Sequence, residues 1–139
     1  MDKKAVRSYL LSRPEACEDY PFGPEVAVYK IKNKMFATLC KWNTVVKEQQ
    51  GDSNDQNFYA MNLKCDPDEA IALRDIFTAV LPGYHMNKKH WNTLIINGSI
   101  PAGEIERMID RSYGLVVKGL KKIERDNLLL VYGAEVIYA

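Results

Sequence analysis

Glu25-Val26-Ala27-Val28-Tyr29-Lys30-Ile31-Lys32-Asn33-Lys34-Met35-Phe36-Ala37-Thr38-Leu39-Cys40-Lys41-Trp42 is the stretch whose pattern decides the fold. Over residues 25–31, Val26, Val28 and Lys30 alternate with Ala27, Tyr29 and Ile31, the period of two that marks a half-buried strand. Asn33 makes the turn and residues 35–42 form a second strand, so the pair is a hairpin with Lys30, Lys32 and Lys34 on its rim. Lysines commonly protect an exposed sheet edge, which is one reading of that rim; a basic wing beside a polyanion is the other.

Working outward, residues 2–12 set Val6, Tyr9 and Leu10 at helical spacing, with Asp2 able to cap and Pro14 to end the helix. Asp19-Tyr20-Pro21-Phe22-Gly23-Pro24 reads as a rigid loop, because two prolines fix φ around a permissive glycine. Residues 43–57 are polar and turn-rich and read as a long loop; residues 58–65 alternate again as a third strand. Asp66-Pro67-Asp68-Glu69 predicts a helix start with a capping box. That helix buries Ala70, Leu73, Phe77 and Val80 and stops before Pro82. Trp91 to Asn97 is a fourth strand, closed by the turn dipeptide Asn97-Gly98. Pro101 opens a long helix with Ile105, Met108, Ile109, Ser112, Val116 and Leu120 inward and Gly119 as terminator. Residues 121–130 add another helical turn or two, and the apolar tail 131–139 is open between a short strand and a docked extension.

The order α-β-β-β-α-β-α with hairpin connections implies an α+β fold, a two-layer sandwich whose largely antiparallel sheet carries its helices on one face. The other face is then open, its exposed positions including the lysines of the hairpin rim and polar residues such as Asn62, Lys64, Asn92 or Thr93. No repeat or low-complexity linker divides the chain, so residues 1–139 are expected to form one domain.

Composition narrows the class. At 139 residues, 47% hydrophobic and 27% charged, the chain has the make-up of an ordinary globular protein with core enough to need no staples. No apolar run nears the roughly 20 residues of a membrane span and the first residues hold no apolar signal core, which points to the cytoplasm and away from a membrane partner. Three cysteines, Cys17, Cys40 and Cys65, form no CxxC pair and are expected as buried, reduced thiols. The net charge of +1 gives no global pull toward nucleic acid, so such binding would need a local patch. Residues 1–50 carry nine Lys/Arg against six Asp/Glu, whereas 51–100 carry four against six.

The best candidate for that patch is Pro82-Gly83-Tyr84-His85-Met86-Asn87-Lys88-Lys89-His90-Trp91-Asn92, which holds both histidines and two adjacent lysines. Lys88 and Lys89 suit phosphates, Asn87 and Asn92 suit phosphate or base edges, and Trp91 or Tyr84 offers a stacking plane. His85 and His90 are five residues apart with no carboxylate or cysteine beside them in the loop, so no metal is expected. Cys40 or Cys65 beside a histidine would be the route to catalysis, yet strand cysteines are usually small buried hydrophobes. Lys118, Lys121, Lys122 and Arg125 fit the negative end of a helix dipole.

Three separated blocks carry a resemblance: Glu18-Asp19-Tyr20-Pro21-Phe22-Gly23-Pro24, Lys64-Cys65-Asp66-Pro67, and Pro82 to Thr93 followed by Asn97-Gly98-Ser99-Ile100-Pro101, with Asp110-Arg111-Ser112-Tyr113 in the last helix. Together they resemble the MmcQ/YjbR family, from the first helix to about Leu120, leaving 121–139 as an extension. The resemblance implies a CyaY-like sandwich of the double-wing DNA-binding type, with no established catalytic activity and no cofactor. Frataxin-type proteins of that fold bind iron through acidic residues on the first helix; Lys3, Lys4 and Arg7 stand here instead.

The reading is a non-enzymatic domain, with a monomer favoured and the oligomeric state open, that binds duplex DNA through Lys30, Lys32, Lys34, Asn87, Lys88, Lys89, His90, Trp91 and Asn92. The alternatives are a pocket for a small anionic or nucleotide-like ligand lined by Tyr29, Tyr84, Asn87, His90 and Trp91, and a protein-interaction module using the open sheet face or the apolar tail.

Overall fold

The computed structural model describes residues 1–42 and 58–139. The polar loop expected over 43–57 lies outside the described residues. Helix α1, Lys3–Leu11, starts on Asp2, whose carboxylate accepts the Ala5 amide at 2.8 Å, and it buries Val6 and Leu10. Strands β2, Val26–Ile31, and β3, Lys34–Lys41, form the expected hairpin. Lys32 and Asn33 both take positive φ, the geometry of a tight two-residue turn. Ahead of them stands β1, Cys17–Asp19, a three-residue edge strand on β2 that the pattern did not reveal.

Strand β4, Tyr59–Lys64, and β6, Trp91–Ile96, match the expected third and fourth strands. Between them α2, Pro67–Ile76, ends at Ile76 rather than just before Pro82 as expected. Phe77 is extended and Val80–Pro82 becomes β5, which pairs along β6. Apolar residues at helical spacing lost here to an unfilled sheet edge: Ile95 donates its amide to Ala79 O at 2.9 Å. The capping box is also absent. Asp66 makes no side-chain cap bond, and Glu69 turns instead to Arg107 and Arg111 at 3.0 and 2.8 Å.

Helix α3, Ala102–Lys118, lies across β2, β3 and β4 with Ile105, Met108, Ile109, Ser112, Val116 and Val117 inward. The tail is helical: α4, Lys122–Tyr132, and α5, Ala134–Ile137, dock through Leu128 and Ile137. The result is an α+β sandwich with one sheet of order β1-β2-β3-β4-β6-β5, every neighbour antiparallel.

The register assigns the faces. Tyr29, Ala37, Leu63 and Asn92 form one cross-strand row, and Val28, Thr38, Asn62, Thr93 and Leu81 form another on the opposite side. Asn92 and Thr93, being adjacent, cannot both belong to an open face. Neither is exposed: Asn92 is 2% and Thr93 1% accessible. Asn92 points into the helix layer, donating to Ala70 O at 3.3 Å, while Thr93 lies beneath the loop that follows β5. Val28, Thr38 and Cys40 on the second face are buried as well, which corrects the expectation of an open sheet.

Candidate nucleic-acid interface

One end of the sheet gathers most of the expected residues. Ile31 and Lys34 close the β2–β3 turn; Ala37 opposite Leu63 puts Lys64 at that same end, and Lys64 faces Trp91. Pro82 opposite Asn92 then brings in the β5–β6 loop. Strands β3 and β6 are two spacings apart, about 10 Å, so both loops share one rim.

The shape of the loop is set by close packing at its root and one guanidinium across it. A Cβ on Gly83 would lie 2.9 Å from both Cβ and O of Trp91, so only glycine lets β5 and β6 approach this closely, and Gly83 donates its amide to Trp91 O at 3.0 Å. Arg74, in the last turn of α2, donates Nε to Asn92 Oδ1 at 2.7 Å and Nη2 to the carbonyls of Lys88 and, at 3.4 Å, Trp91. Within the loop, Asn87 Oδ1 accepts the Lys89 amide at 2.9 Å, and the Asn87 carbonyl accepts that of His90 at 3.2 Å. His85 takes φ 57°, the left-handed turn that aims it outward. Cys65 donates its amide to His90 O at 2.7 Å, which ties the loop to the end of β4.

The expected cations divide. Lys30 pairs with Asp19 at 2.9 Å and Lys32 with Glu15 at 3.1 Å, so the hairpin rim is half neutralised by the segment around β1. Lys34, Lys64, Lys88 and Lys89 form no ion pair among the described residues. Lys88 Nζ donates to Gly83 O at 3.2 Å. Trp91 and His90 are half-buried beside these lysines, and Asn87 is exposed. Asn92 drops out of the contact set, since its amide is spent on Ala70 and Arg74. Sequence reasoning missed Arg74 and Gly83 as organisers, and treated Lys64 only as an exposed polar position. Their signals were slight: a lone arginine between residues 51 and 100, and a glycine after a proline.

The small-ligand lining does not assemble as expected. Tyr29 is fully buried on the helix side, its hydroxyl donating to Glu18 at 2.7 Å, and burial followed by that contact raises its pKa. Tyr84 faces the other side of the sheet, edge-on to Trp42 at 5.3 Å, with its amide on Thr93. A cleft between Leu63, Cys65, Leu73, Asn92 and Met108 has an interior of about 10 Å³, room for one water.

Several family blocks prove to be joints. Glu18 receives Arg7 at 2.8 Å, Tyr20 at 3.0 Å and Tyr29, and the Arg7 guanidinium leads these donors in holding its carboxyl down to about 2. Asp110 accepts Tyr9 and Arg13, each at 2.9 Å; Tyr113 donates to Pro14 O at 2.7 Å. Ser112 bridges two strands. The cysteines divide too: Cys17 is exposed, contrary to expectation, while burial pushes the thiols of Cys40 and Cys65 up to about 11, away from nucleophilic thiolate. Among the described residues no three His, Cys, Asp or Glu side chains are grouped to hold a metal, and no helix is long and apolar enough to cross a membrane.

Comparison with known proteins places this arrangement. The YjbR family model matches residues 11–115. The chain is 35% identical over 103 residues to the uncharacterized protein YbdF of Escherichia coli O157:H7, covering 74% of each. It is 30% identical over 121 residues to the uncharacterized protein YjbR of Escherichia coli K12, covering 87% of this chain and 92% of the relative. The crystal structure of Deinococcus radiodurans protein DR2400, a DUF419 domain, superposes with a TM-score of 0.74 at 32% identity over 91% of this chain and 87% of that one. A Pseudomonas syringae protein gives 0.71 at 29% over 83% and 98%. The family model, the relatives and the solved structures converge on one conclusion: the chain belongs to the YjbR family.

Proposed function

We propose that this chain is a cytoplasmic nucleic-acid-binding module, acting on duplex DNA by binding alone, through the sheet end formed by the β2–β3 turn, the end of β4 and the β5–β6 loop. One observation carries the reading: Lys34, Lys64, Lys88 and Lys89, from three parts of the chain, lie at the same end of the sheet as the half-buried Trp91 and form no ion pair among the described residues. Lysines so placed neutralise phosphates. Asn87 and His90 are positioned to donate beside them, and Trp91 presents a partial face. Lys30 and Lys32 take a lesser part, because their charges are already met by Asp19 and Glu15.

The small-anion reading is weaker, since Tyr29 is fully buried and withdrawn from the expected lining. Fluorescence anisotropy with a labelled duplex tests the proposal. Four phosphate contacts give a slope of about −3.6 in log K against log salt, so affinity falls roughly 150-fold from about 50 to 200 mM. Each of Lys34→Ala, Lys64→Ala, Lys88→Ala and Lys89→Ala is expected to reduce that slope by about 0.9. No anisotropy change at low salt and high protein concentration ends the proposal.

A further inference from the structure

We infer that the C-terminal extension, acting with Glu15, is an electrostatic latch that withholds Lys32 from the phosphate-binding rim; the inference rests on the nucleic-acid reading above and adds a regulatory element to it. Lys32 stands in the β2–β3 turn, two residues before Lys34, yet the two lysines differ in their surroundings. Lys32 Nζ lies 3.1 Å from Glu15 Oε1 and donates to Asn127 Oδ1 at 3.3 Å. Tyr132 turns its hydroxyl toward the same carboxylate. Asn127 and Tyr132 belong to α4, beyond the residues 11–115 that the family model matches. Two distant parts of the chain thus converge on one ammonium.

An exposed ion pair between two loose side chains contributes little, because both must be ordered to form it. Here the fold does the ordering. Arg13 is bound to Asp110 at 2.9 Å and Pro14 O accepts Tyr113 at 2.7 Å, so the two residues before Glu15 are fixed on α3. Leu128 and Ile137, 0% and 1% accessible, seat the extension, and Asn127 is the neighbour of Leu128. Glu15 and Lys32 both hold left-handed backbone, φ 57° and 49°, a conformation that non-glycine residues keep only where the surroundings impose it. The Lys32 side chain retains 24% accessibility, whereas Lys34 is exposed. Lys30 is met differently, by Asp19 on the neighbouring strand, so of the three hairpin lysines the extension acts on Lys32. The rim offers four phosphate contacts with the latch closed and a fifth with it open.

Anisotropy with the labelled duplex, on the full chain, reads the latch through the salt slope. Glu15→Gln keeps the shape of the side chain and removes its charge; it is expected to steepen the slope by about 0.9 and to tighten binding at about 50 mM salt roughly tenfold. Removing any nearby carboxylate raises the local potential, so a cycle isolates the part of Lys32: Lys32→Ala should leave the wild-type slope unchanged and cancel the gain in Glu15→Gln. Asn127→Ala combined with Tyr132→Phe, both at exposed positions and with Glu15 intact, should recover part of that gain. In the DNA-free protein, competitive acetylation read by mass spectrometry should mark Lys32 more slowly than Lys34, with the gap closing in Glu15→Gln. Equal marking in the wild type, binding that does not steepen in Glu15→Gln, or an Asn127→Ala, Tyr132→Phe variant indistinguishable from wild type overturns the latch and leaves the rim standing. A chain that binds no duplex in any variant removes rim and latch together.

Discussion

Replacing Ser112 by alanine should be among the costliest single-atom deletions in this molecule, although it changes no charge and little volume. Strand β3 carries one extra residue, Phe36, where the register with β2 passes from Tyr29–Ala37 to Lys30–Met35. On the other side of β3 the ladder with β4 ends at Ala37–Leu63, and one step further Phe36 and Lys64 face each other without a direct bond. The Ser112 hydroxyl fills that gap, donating to Phe36 O at 2.6 Å and accepting the Lys64 amide at 2.8 Å, with the residue 0% accessible. Ser112→Ala leaves a buried carbonyl and an amide without partners, at roughly 1–2 kcal/mol each, so a total of about 2–4 kcal/mol is expected. That is a large share of the roughly 5–15 kcal/mol holding a domain. With a urea slope of about 1.5 kcal/mol per molar, the midpoint should fall by between roughly 1 and 3 M at unchanged slope. Ser112→Cys, a weaker donor, should fall between wild type and alanine, and Ser8→Ala on the exposed side of α1 should not move it. A loss below about 0.5 kcal/mol for Ser112→Ala would mean that water or a relaxed ladder satisfies both groups, and the bridge would not be what joins α3 to the sheet at this point.

Other outcomes follow from the same contacts. Gly83→Ala drives a Cβ against the Trp91 backbone and should cost about 1–3 kcal/mol in chemical unfolding, whereas Gly103→Ala, with open space around it, should be neutral or better. Arg74→Ala removes the clamp on the β5–β6 loop; hydrogen exchange should quicken at the Gly83 and His90 amides and not in α1, and uniform protection would discount the clamp. Glu18 titrates near 2 in the folded chain against an ordinary 4.5, so it stabilises above the unfolded value and that contribution is lost as pH falls from about 4.5 toward 2. Thermal midpoints over that window should fall less steeply for Glu18→Gln than for wild type. In a native thiol titration one cysteine, Cys17, should react quickly and Cys40 and Cys65 only after unfolding.

The parts of the fold legible in the sequence are those with many residues voting on one period. Alternation from Val26 to Ile31 and apolar spacing from Ile105 to Val116 name a strand and a helix whatever surrounds them, because side-chain direction follows backbone geometry. Strands β1 and β5, of three residues each, have too few votes; they exist because β2 and β6 offer unpaired edges. In the candidate site, the loop from Gly83 to Trp91 could be marked by its unusual residues. Which of its neighbours would stay charged and accessible could not. Lys30 and Lys32 look identical to Lys34 in the chain and lose their freedom to Asp19 and Glu15, more than ten residues away. Asn92 and Thr93 seem equally polar until the register sends one under α2 and the other under Tyr84. Local pattern is a property of the backbone and survives translation into structure; burial and net charge belong to whatever distant groups arrive beside a side chain, and only the folded chain decides those.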